Sequence, residues 1–317
     1  MIRAGVIGVG SFGREHARVY ADAADAQLVS VCDINETSGQ RVAEQFGSAF
    51  CADYRELIGK VDAVSLAVPT VAHAEIACAL LDAGIDVLVE KPIARTLDEA
   101  DAMIRAAQRS GAVLQVGHLE RFNPAVIAAR QIVTTPRFFE AHRLSLFTPR
   151  SLDVDVVMDL MIHDIDVVLS LVGSPVREAR AAGIPILTPR IDIANARVEF
   201  ENGCVANLTA SRVSLEKVRK VRFFQPHEYI SIDYAAQEAA TVSLKPDAGG
   251  RMQFDARLLA VERGEPLRLE IDAFLAAASG GEVRVSGEEG RHALALALEI
   301  VARIREHAER AGVPFAG

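Results

Sequence analysis

A glycine-rich segment near the N-terminus, Gly8-Val9-Gly10-Ser11-Phe12-Gly13, constrains the fold more than any other feature of this 317-residue chain. An apolar, strand-like run precedes it, and a segment with helical spacing follows it. Between a strand and a helix, the first glycine permits a tight turn, the second lets a pyrophosphate approach the backbone, and the third lets the helix pack on the strand. We therefore predict a dinucleotide site that uses Gly8, Gly10, Ser11, Phe12 and Gly13. The alternative is a plain strand–helix turn.

An acidic residue, Asp33, stands where the second predicted strand ends. A carboxylate at this point of a dinucleotide fold bonds the ribose hydroxyls and repels a 2′-phosphate. Ile34 and Asn35 follow, so no neighbouring cation is present to receive such a phosphate. This pattern favours NAD over NADP as the cofactor. The alternative is that Asp33 caps the next helix.

The order of predicted strands and helices divides the chain into two parts near residues 118–124. Up to residue 118, short β-rich runs alternate with helical segments, which indicates βαβ units. We predict an α/β fold whose N-terminal domain, residues 1–120, is a Rossmann doubly wound parallel sheet. Later segments are long and β-rich, with a hairpin signal at Asn202-Gly203. Residues 121–317 therefore predict an α+β domain for substrate binding and oligomerisation, with a large, mostly antiparallel open sheet.

Charge and cysteine content exclude several classes of function. The net charge is −9 and no basic block offsets it, which argues against a nucleic-acid partner. The four cysteines have no Cys-x-x-Cys spacing and predict free thiols in a reducing compartment, the cytoplasm. The N-terminus has no signal-peptide pattern, and acidic residues interrupt the most apolar stretch, residues 154–172. We therefore expect no membrane segment.

Several motifs resemble those of the glucose–fructose oxidoreductase / inositol dehydrogenase (Gfo/Idh/MocA) family. They are Ala67-Val68-Pro69-Thr70, Glu90-Lys91-Pro92, and Asp159 followed by His163, in that order after the glycine loop. The resemblance covers essentially the whole chain. It implies a nicotinamide-dependent dehydrogenase that forms a homodimer or homotetramer.

Longer strings at residues 117–124, 150–157 and 159–166 resemble one branch of that family. The branch oxidises the 3-hydroxyl of UDP-N-acetylglucosamine to a ketone, and a pyridoxal-phosphate (PLP) aminotransferase then aminates the ketone for amide-linked lipid A. One alternative is a dehydrogenase of a free polyol, inositol or sugar acid. A second alternative is a regulator that senses NAD(P) without catalysis.

By resemblance, Lys91 is the active-site lysine, and its ammonium holds the substrate hydroxyl near the nicotinamide ribose. It follows a predicted strand, and ligands bind beyond the carboxyl ends of parallel strands. The alternative is a surface lysine in a turn. The resemblance also places at the cofactor the residues around the two loops, namely Val68, Pro69, Thr70, His73 and Glu90.

His163 is the candidate general base, since an imidazole with a pKa of about 6.5 transfers protons near neutrality. Asp159 lies four residues earlier, so both side chains share one face of a helix. The alternative is a buried, satisfied Asp–His pair. One carboxylate and one imidazole are too few ligands for a metal, so no metal is predicted. Asp164 and Asp166 crowd the same helix, and the sequence does not separate a solvent-facing role from a cleft role for either.

Further polar residues are candidates for substrate contact. The family places residues such as Arg121 and Asn123 at the cleft, in contact with cofactor or substrate; the alternatives are a domain-linking salt bridge and a helix N-cap before Pro124. Arg143, Arg150 and Arg212 are candidates for a substrate diphosphate, because arginine forms forked bonds to phosphate oxygens. The alternative for each of these three is an ordinary surface arginine.

Overall fold

The computed structural model describes residues 1–148, 154–246 and 250–312, and the chain forms two compact units. The first unit comprises Met1–Leu119 and Glu265–Leu294; the second comprises Glu120–Gly264 and the chain from Ala295 onward. The sequence pattern assigns everything after residue 120 to the second domain. The structure differs at residues 265–294, which pack with the first unit.

The first unit is built on a six-stranded parallel sheet with the strand order β3-β2-β1-β4-β5-β6. This order is that of a Rossmann fold, and it reverses between β1 and β4, where ligands bind beyond the strand ends. Its elements are β1 Ile2–Ile7, α1 Ser11–Ala21, β2 Ala26–Cys32, α2 Glu36–Phe46, β3 Ala49–Cys51, β4 Ala63–Leu66, α3 His73–Asp82, β5 Asp86–Glu90, α4 Leu97–Ser110, β6 Leu114–Gly117 and α7 Pro266–Ala278.

Burial explains why these segments form strands and why α7 joins them. Every residue of β4 and β6 is buried, as expected for parallel strands that have helices on both faces. Leu267, Ile271 and Phe274 of α7 recur at helical spacing and belong to the same apolar cluster as Val6 and Tyr20. The apolar face of α7 therefore completes the core of the Rossmann unit.

The second unit contains an eight-stranded sheet with the order β14-β13-β12-β11-β7-β10-β9-β8. Its elements are α5 Pro124–Arg130, β7 Phe138–Leu146, a π-helical turn Val157–Met161, α6 Ile162–Val172, β8 Val176–Ile184, β9 Ile193–Phe200, β10 Val205–Ser214, β11 Val218–Gln225, β12 Glu228–Asp233, β13 Glu238–Pro246 and β14 Met252–Leu258. A long helix, α8 Gly287–Ala311, begins in the first unit and ends in the second.

The pairing in this sheet is antiparallel except between β7 and β10, so the predicted fold class is confirmed. The predicted hairpin at Asn202-Gly203 joins β9 to β10, with Gly203 at φ 81°. The sequence pattern misses β13 and β14. Almost all of β14 is exposed, and residues 242–246 of β13 are not buried, so neither strand shows a regular apolar face along its length.

The four cysteines are free, and Cys32, Cys51 and Cys204 are buried. Among the described residues, we find no helix that combines the length and the apolar character needed to cross a membrane.

Candidate active site

The glycine loop between β1 and α1 has the geometry that its sequence predicts. Gly8 adopts φ 82°, which favours glycine, and a methyl group on Gly13 would lie 1.7 Å from the carbonyl oxygen of Gly8. Gly10 differs, because a methyl group there would have nothing within 4 Å. Gly8 and Gly13 are therefore required by the fold itself. The open space at Gly10, next to the exposed first turn of α1, fits a pyrophosphate that approaches the backbone.

Asp33 connects the end of β2 to the glycine loop. Its Oδ2 accepts a hydrogen bond from the Val9 N–H at 2.8 Å, and its Oδ1 accepts one from the Asn35 N–H at 2.8 Å. The helix cap is Asn35, whose side chain accepts from the Ser38 N–H, so the alternative that Asp33 caps α2 is wrong. A half-buried carboxylate is thus fixed beside the loop with lone pairs left to accept ribose hydroxyls.

Lys91 follows β5 at the same edge of the parallel sheet, where it is half-buried and precedes a cis peptide bond to Pro92. Glu90, the last residue of β5, accepts from or shares a proton with Nε2 of His16 on α1, at 3.1 Å. A methyl group on Gly117, the residue paired with Glu90 in β6, would lie 2.8 Å from Glu90 Oε1. The carboxylate beside Lys91 is therefore bonded by His16 on one side and lies close to the β6 backbone at Gly117 on the other. The structure places Lys91 on the ligand-binding edge, and its catalytic role stays a prediction.

His73 lies beneath the loops that follow β4 and β5, with 1% of its surface exposed. Its Nε2 is 2.9 Å from the carbonyl oxygen of Val68, and its Nδ1 is 3.1 Å from that of Pro92. Burial lowers the pKa of His73, and the carbonyl groups and Glu90 oppose that shift only in part. A neutral imidazole carries one N–H, so only one of its two ring nitrogens can donate a hydrogen bond to a carbonyl group. His73 thus faces the two loops, while Pro69 is exposed and Val68 and Thr70 are half-buried.

In the second unit, Asp159 lies in the π-helical turn and His163 lies in the first turn of α6. Both side chains are half-buried. The helix that the spacing of Asp159 and His163 predicts is therefore α-helical only from Ile162, and Asp159 lies in the π turn before it. Single π turns occur frequently at functional sites because they reorient side chains.

Comparison with known proteins agrees with this geometry. The model of the Gfo/Idh/MocA oxidoreductase family, described as an NAD-binding Rossmann fold, matches residues 2–118. The model of the Gfo/Idh/MocA C-terminal domain matches residues 130–227. The chain belongs to the Gfo/Idh/MocA oxidoreductase family.

Two relatives span nearly the whole of this family member. The UDP-N-acetylglucosamine 3-dehydrogenase of Acidithiobacillus ferrooxidans is 40% identical, over 98% of this chain and 99% of its own. Its solved structure superposes with a TM-score of 0.90 at 38% identity, covering 96% and 98% of the two chains. The inositol 2-dehydrogenase of Rhizobium meliloti is 27% identical over 96% and 97% of the two chains.

The structure of a levoglucosan dehydrogenase in complex with NADH and levoglucosan has a TM-score of 0.86 at 23% identity, covering 96% of this chain and 97% of that one. This likeness concerns the fold. The family model and the 40% identical relative make the chain an oxidoreductase with the nucleotide-binding fold of its family.

The structure gives Arg143 of this Gfo/Idh/MocA protein an internal role instead of a diphosphate site. Its guanidinium is 3% exposed, grips Asp164 with bonds of 2.8 and 2.9 Å, and donates to Glu120 at 2.9 Å. Burial opposes the charge, but Asp164 and Glu120 outweigh it and raise the pKa of Arg143. Each guanidinium nitrogen already has a carboxylate partner, and the ring of Tyr234 lies beneath the group at 5.0 Å. Arg143 therefore holds the interior of the second unit together.

Four further residues that the sequence analysis singles out are also buried. Arg121 pairs with Asp166 at 3.3 Å, and both side chains are at most 5% exposed. Asn123 caps α5 by accepting from the Ala125 N–H, and its amide donates to Glu120 and to the Tyr234 carbonyl, so the N-cap alternative is the one observed. Asp164 and Asp166 are each 2% exposed, hence neither faces solvent.

Arg212 is 5% exposed and donates to the carbonyl oxygen of Val154, with Asp192 at 3.7 Å from its Nε. Asp192 is itself fully buried and accepts three backbone N–H bonds from residues 186–188. The prediction that Arg212 binds a diphosphate is therefore not supported by its position. Arg150 lies outside the described residues.

Sequence reasoning misses a buried polar group around Glu90. Its members are His16 on α1, Ser65 on β4, Tyr20 on α1 and Glu270 on α7. Two signals in the sequence point to it: a histidine one turn after Gly13 on an apolar helix face, and a glutamate between Leu269 and Ile271. Polar groups are costly on apolar faces unless they have partners, so such residues mark an internal network.

Proposed function

We propose that this chain oxidises the 3-hydroxyl of UDP-N-acetylglucosamine to the 3-keto sugar, with NAD as hydride acceptor. One structural observation carries the dehydrogenase chemistry: the open glycine loop, Asp33 and the Lys91 turn share one edge of the parallel sheet. The substrate rests on the similarity to a UDP-N-acetylglucosamine 3-dehydrogenase, which extends over 98% of the chain at 40% identity.

NAD is the cofactor that Asp33 favours. The carboxylate is fixed by two backbone N–H groups, so it stays beside the loop and cannot turn away from a 2′-phosphate. The residues that follow, Ile34 and Asn35, add no positive charge. A fixed negative charge accepts ribose hydroxyls and repels phosphate, which disfavours NADP.

The nicotinamide supplies the hydride chemistry when it is bound. In this proposal the Lys91 ammonium donates to the substrate hydroxyl oxygen and stabilises the negative charge that develops there. His163 takes the hydroxyl proton, and Asp159 orients His163 or the hydroxyl. Gly10 and the first N–H groups of α1 hold the pyrophosphate. Of the candidate substrate residues, Lys91, Asp159 and His163 remain in the proposal, whereas Arg121, Asn123, Arg143 and Arg212 have internal partners.

The test is turnover of UDP-N-acetylglucosamine with NAD, followed by the absorbance of reduced nicotinamide. Oxidation of a secondary alcohol by NAD is uphill, so a PLP aminotransferase and L-glutamate are added to remove the ketone. We expect reduced cofactor to accumulate only with the full mixture and faster with NAD than with NADP. Turnover of free inositol or glucose without turnover of the UDP-sugar would reject this substrate.

A second candidate function is oxidation of a free polyol or inositol, because an inositol 2-dehydrogenase aligns over 96% of this chain. A panel of inositols, sugar acids and UDP-sugars separates the two candidates. The sensing alternative predicts NAD binding without turnover of any of these alcohols.

We also propose a metabolic partner, a cellular compartment and an oligomeric state for the protein. A ketone is a substrate for amine transfer, so a PLP aminotransferase is the proposed metabolic partner, in lipid A-type biosynthesis. Free cysteines favour the cytoplasm. The partly exposed aromatic group on the eight-stranded sheet, in which Phe224 is exposed and Phe138 and Tyr229 are half-buried, favours a homodimer or homotetramer through that face. Analytical ultracentrifugation of a Phe224→Glu variant checks this, and we expect a smaller species.

A further inference from the structure

A chain of hydrogen bonds runs through the interior of the first unit and ends at Glu90, next to Lys91. The Tyr20 hydroxyl is 2.9 Å from Ser65 Oγ, which is 3.0 Å from Nδ1 of His16, and Nε2 of His16 is 3.1 Å from Glu90 Oε1. The residues Tyr20, Ser65 and His16 have no exposed surface. Buried polar chains of this kind restrict side chains to one arrangement when every bond is made.

The chemistry of these four side chains determines which atom donates in each hydrogen bond. An ionised carboxylate at Glu90 only accepts, and this arrangement requires a proton on Nε2 of His16. Nδ1 then accepts from the Ser65 hydroxyl, and the Ser65 oxygen accepts from Tyr20. Burial raises the pKa of Tyr20, which keeps its proton available for donation. One neutral tautomer of His16 therefore satisfies every bond from Tyr20 to Glu90.

The His16 ring also contacts the glycine loop. Its centroid lies 5.1 Å from that of Phe12 with an interplanar angle of 72°, an edge-to-face arrangement. Phe12 lies inside the Gly8–Gly13 segment, whereas Glu90 immediately precedes Lys91. A single buried imidazole thus touches both the loop proposed to bind pyrophosphate and the carboxylate before the proposed catalytic lysine.

We propose that His16 is a positioning residue that fixes the Lys91 turn relative to the glycine loop through Glu90, with Ser65 and Tyr20 setting its tautomer. This inference rests on the proposed function, in which Lys91 contacts the reacting hydroxyl. Gly117 lies against the other side of Glu90, where a methyl group on the glycine would come within 2.8 Å of Oε1. Displacement of a reacting group by about 1 Å costs on the order of 100-fold in rate, so such a constraint matters for turnover.

A metal site is the competing explanation of the same residues. Ligand atoms of His16, Glu90 and the fully buried Glu270 lie within 4.8 Å of one another. A metal ligated by Nε2 requires the proton on Nδ1, and this reverses the bond to Ser65. The direction of these hydrogen bonds therefore distinguishes the two explanations. With the proton on Nδ1 of His16, Ser65 would accept from His16 and donate to the Tyr20 oxygen.

The first test measures that direction without any substrate. Protein labelled with ¹⁵N-histidine is studied by long-range ¹H–¹⁵N NMR, with the His16 signals assigned by their loss in His16→Gln. We expect a neutral ring protonated on Nε2, no equivalent of bound divalent metal, and no change on adding EDTA. An Nδ1-H tautomer, an imidazolium, or one equivalent of metal that EDTA removes would overturn the proposal.

The second test is kinetic and uses a matched pair of variants, His16→Gln and His16→Leu. Glutamine keeps an N–H near the Nε2 position, while leucine has similar bulk without a donor. We expect His16→Leu to lower kcat by about 100-fold with a nearly unchanged Kd for NAD, and His16→Gln to recover most of that loss. Ser65→Ala should fall between wild type and His16→Leu.

Two folded variants that are equally impaired would contradict the positioning role, as would a loss confined to NAD binding. Thermal unfolding of each variant checks that it folds. If wild-type protein oxidises a polyol but not the UDP-sugar, the substrate proposal fails, and the variants are compared on that polyol. If Lys91→Ala retains full turnover, the proposed catalytic role of Lys91 is rejected. The NMR experiment still tests the tautomer of His16, because it needs neither substrate nor turnover.

Discussion

The polar groups of the two units differ in the hydrogen-bonding capacity that they leave available to a ligand. At the sheet edge of the first unit, the Asp33 carboxylate accepts hydrogen bonds from two backbone N–H groups, and the glycine loop beside it has open space at Gly10. In the second unit, all three guanidinium nitrogens of Arg143 bond to Asp164 or Glu120, and the Arg143 side chain is 3% exposed. The first arrangement presents backbone donors and lone pairs to a ligand. The second neutralises charge inside the protein.

This difference teaches that residue type alone does not identify a phosphate site. An arginine has the right chemistry for a diphosphate, but the charge of a buried arginine with carboxylate partners is already neutralised and no exposed surface presents it to a ligand. A glycine loop has no charge at all, yet its free N–H groups and helix terminus bind phosphate. Four experiments test this difference between the two units.

The largest expected effect is that of Lys91→Ala on turnover. Loss of a group that stabilises the reacting oxygen lowers kcat by about 10²–10⁴-fold, while NAD binding stays nearly unchanged. Steady-state kinetics and calorimetric titration with NAD measure both. The matched control is Lys60→Ala, since Lys60 is exposed and is the other lysine before residue 120; equal losses in the two variants would contradict the role of Lys91.

The next effect is that of Arg143→Met on stability. The substitution leaves Glu120 and Asp164 buried without their cation, so we expect a loss of about 3–5 kcal/mol of unfolding free energy. Denaturant unfolding measures it. The control is Arg180→Ala, which breaks an exposed ion pair with Glu178 and should cost about 0–1 kcal/mol. A stable Arg143→Met protein with a raised KM for UDP-sugars alone would restore Arg143 to the diphosphate site.

A smaller effect is expected from Asp33→Ser on the choice of cofactor. Removal of the charge-assisted bonds to ribose and of the repulsion toward phosphate should lower the NAD-over-NADP preference by about 10–100-fold, the equivalent of about 1.5–3 kcal/mol. The ratio of kcat/KM for the two cofactors measures it. Asp82→Ser, at an exposed ion pair with Arg109, is the control and should leave the ratio unchanged. An unchanged ratio in Asp33→Ser would remove the basis for NAD.

The smallest effect separates two glycines of one motif. Gly10→Ala adds a methyl group in open space, so stability should change by less than about 0.5 kcal/mol while the Kd for NAD rises about tenfold. Gly13→Ala drives a methyl group against the Gly8 carbonyl and should destabilise the unit by about 1–3 kcal/mol or more. Thermal unfolding with and without NAD compares them. Unaltered NAD binding in Gly10→Ala would argue against a pyrophosphate at this loop.

Local patterns in the sequence predict the parts of the fold that depend on neighbouring residues. The strand–glycine–helix order predicts the start of the Rossmann unit, and Asn202-Gly203 predicts the hairpin between β9 and β10. The edge strand β14 escapes prediction because an exposed edge needs no regular apolar face, and residues 242–246 of the neighbouring β13 are not buried either. The packing of α7 on the first unit also escapes it, since an amphipathic helix does not specify which core it covers.

The candidate site divides in the same way. Asp33 and Lys91 are predictable because each directly follows a strand, and the geometry of a parallel sheet then places them. The internal roles of Arg121 and Arg143 are not predictable, because their partners Asp166 and Asp164 lie 45 and 21 residues away. The network that ends at Glu90 joins residues up to 74 positions apart, so it appears only in three dimensions.

The most direct measurement of the central claim follows the hydrogen that is transferred. UDP-N-acetylglucosamine that carries deuterium at carbon 3 is incubated with the protein, NAD, L-glutamate and a PLP aminotransferase, and the reduced cofactor is analysed by mass spectrometry. We predict that the reduced nicotinamide gains one deuterium from this substrate and none from substrate labelled at carbon 4. Transfer from carbon 4, or unlabelled reduced cofactor from the carbon 3 substrate, would contradict the proposed reaction.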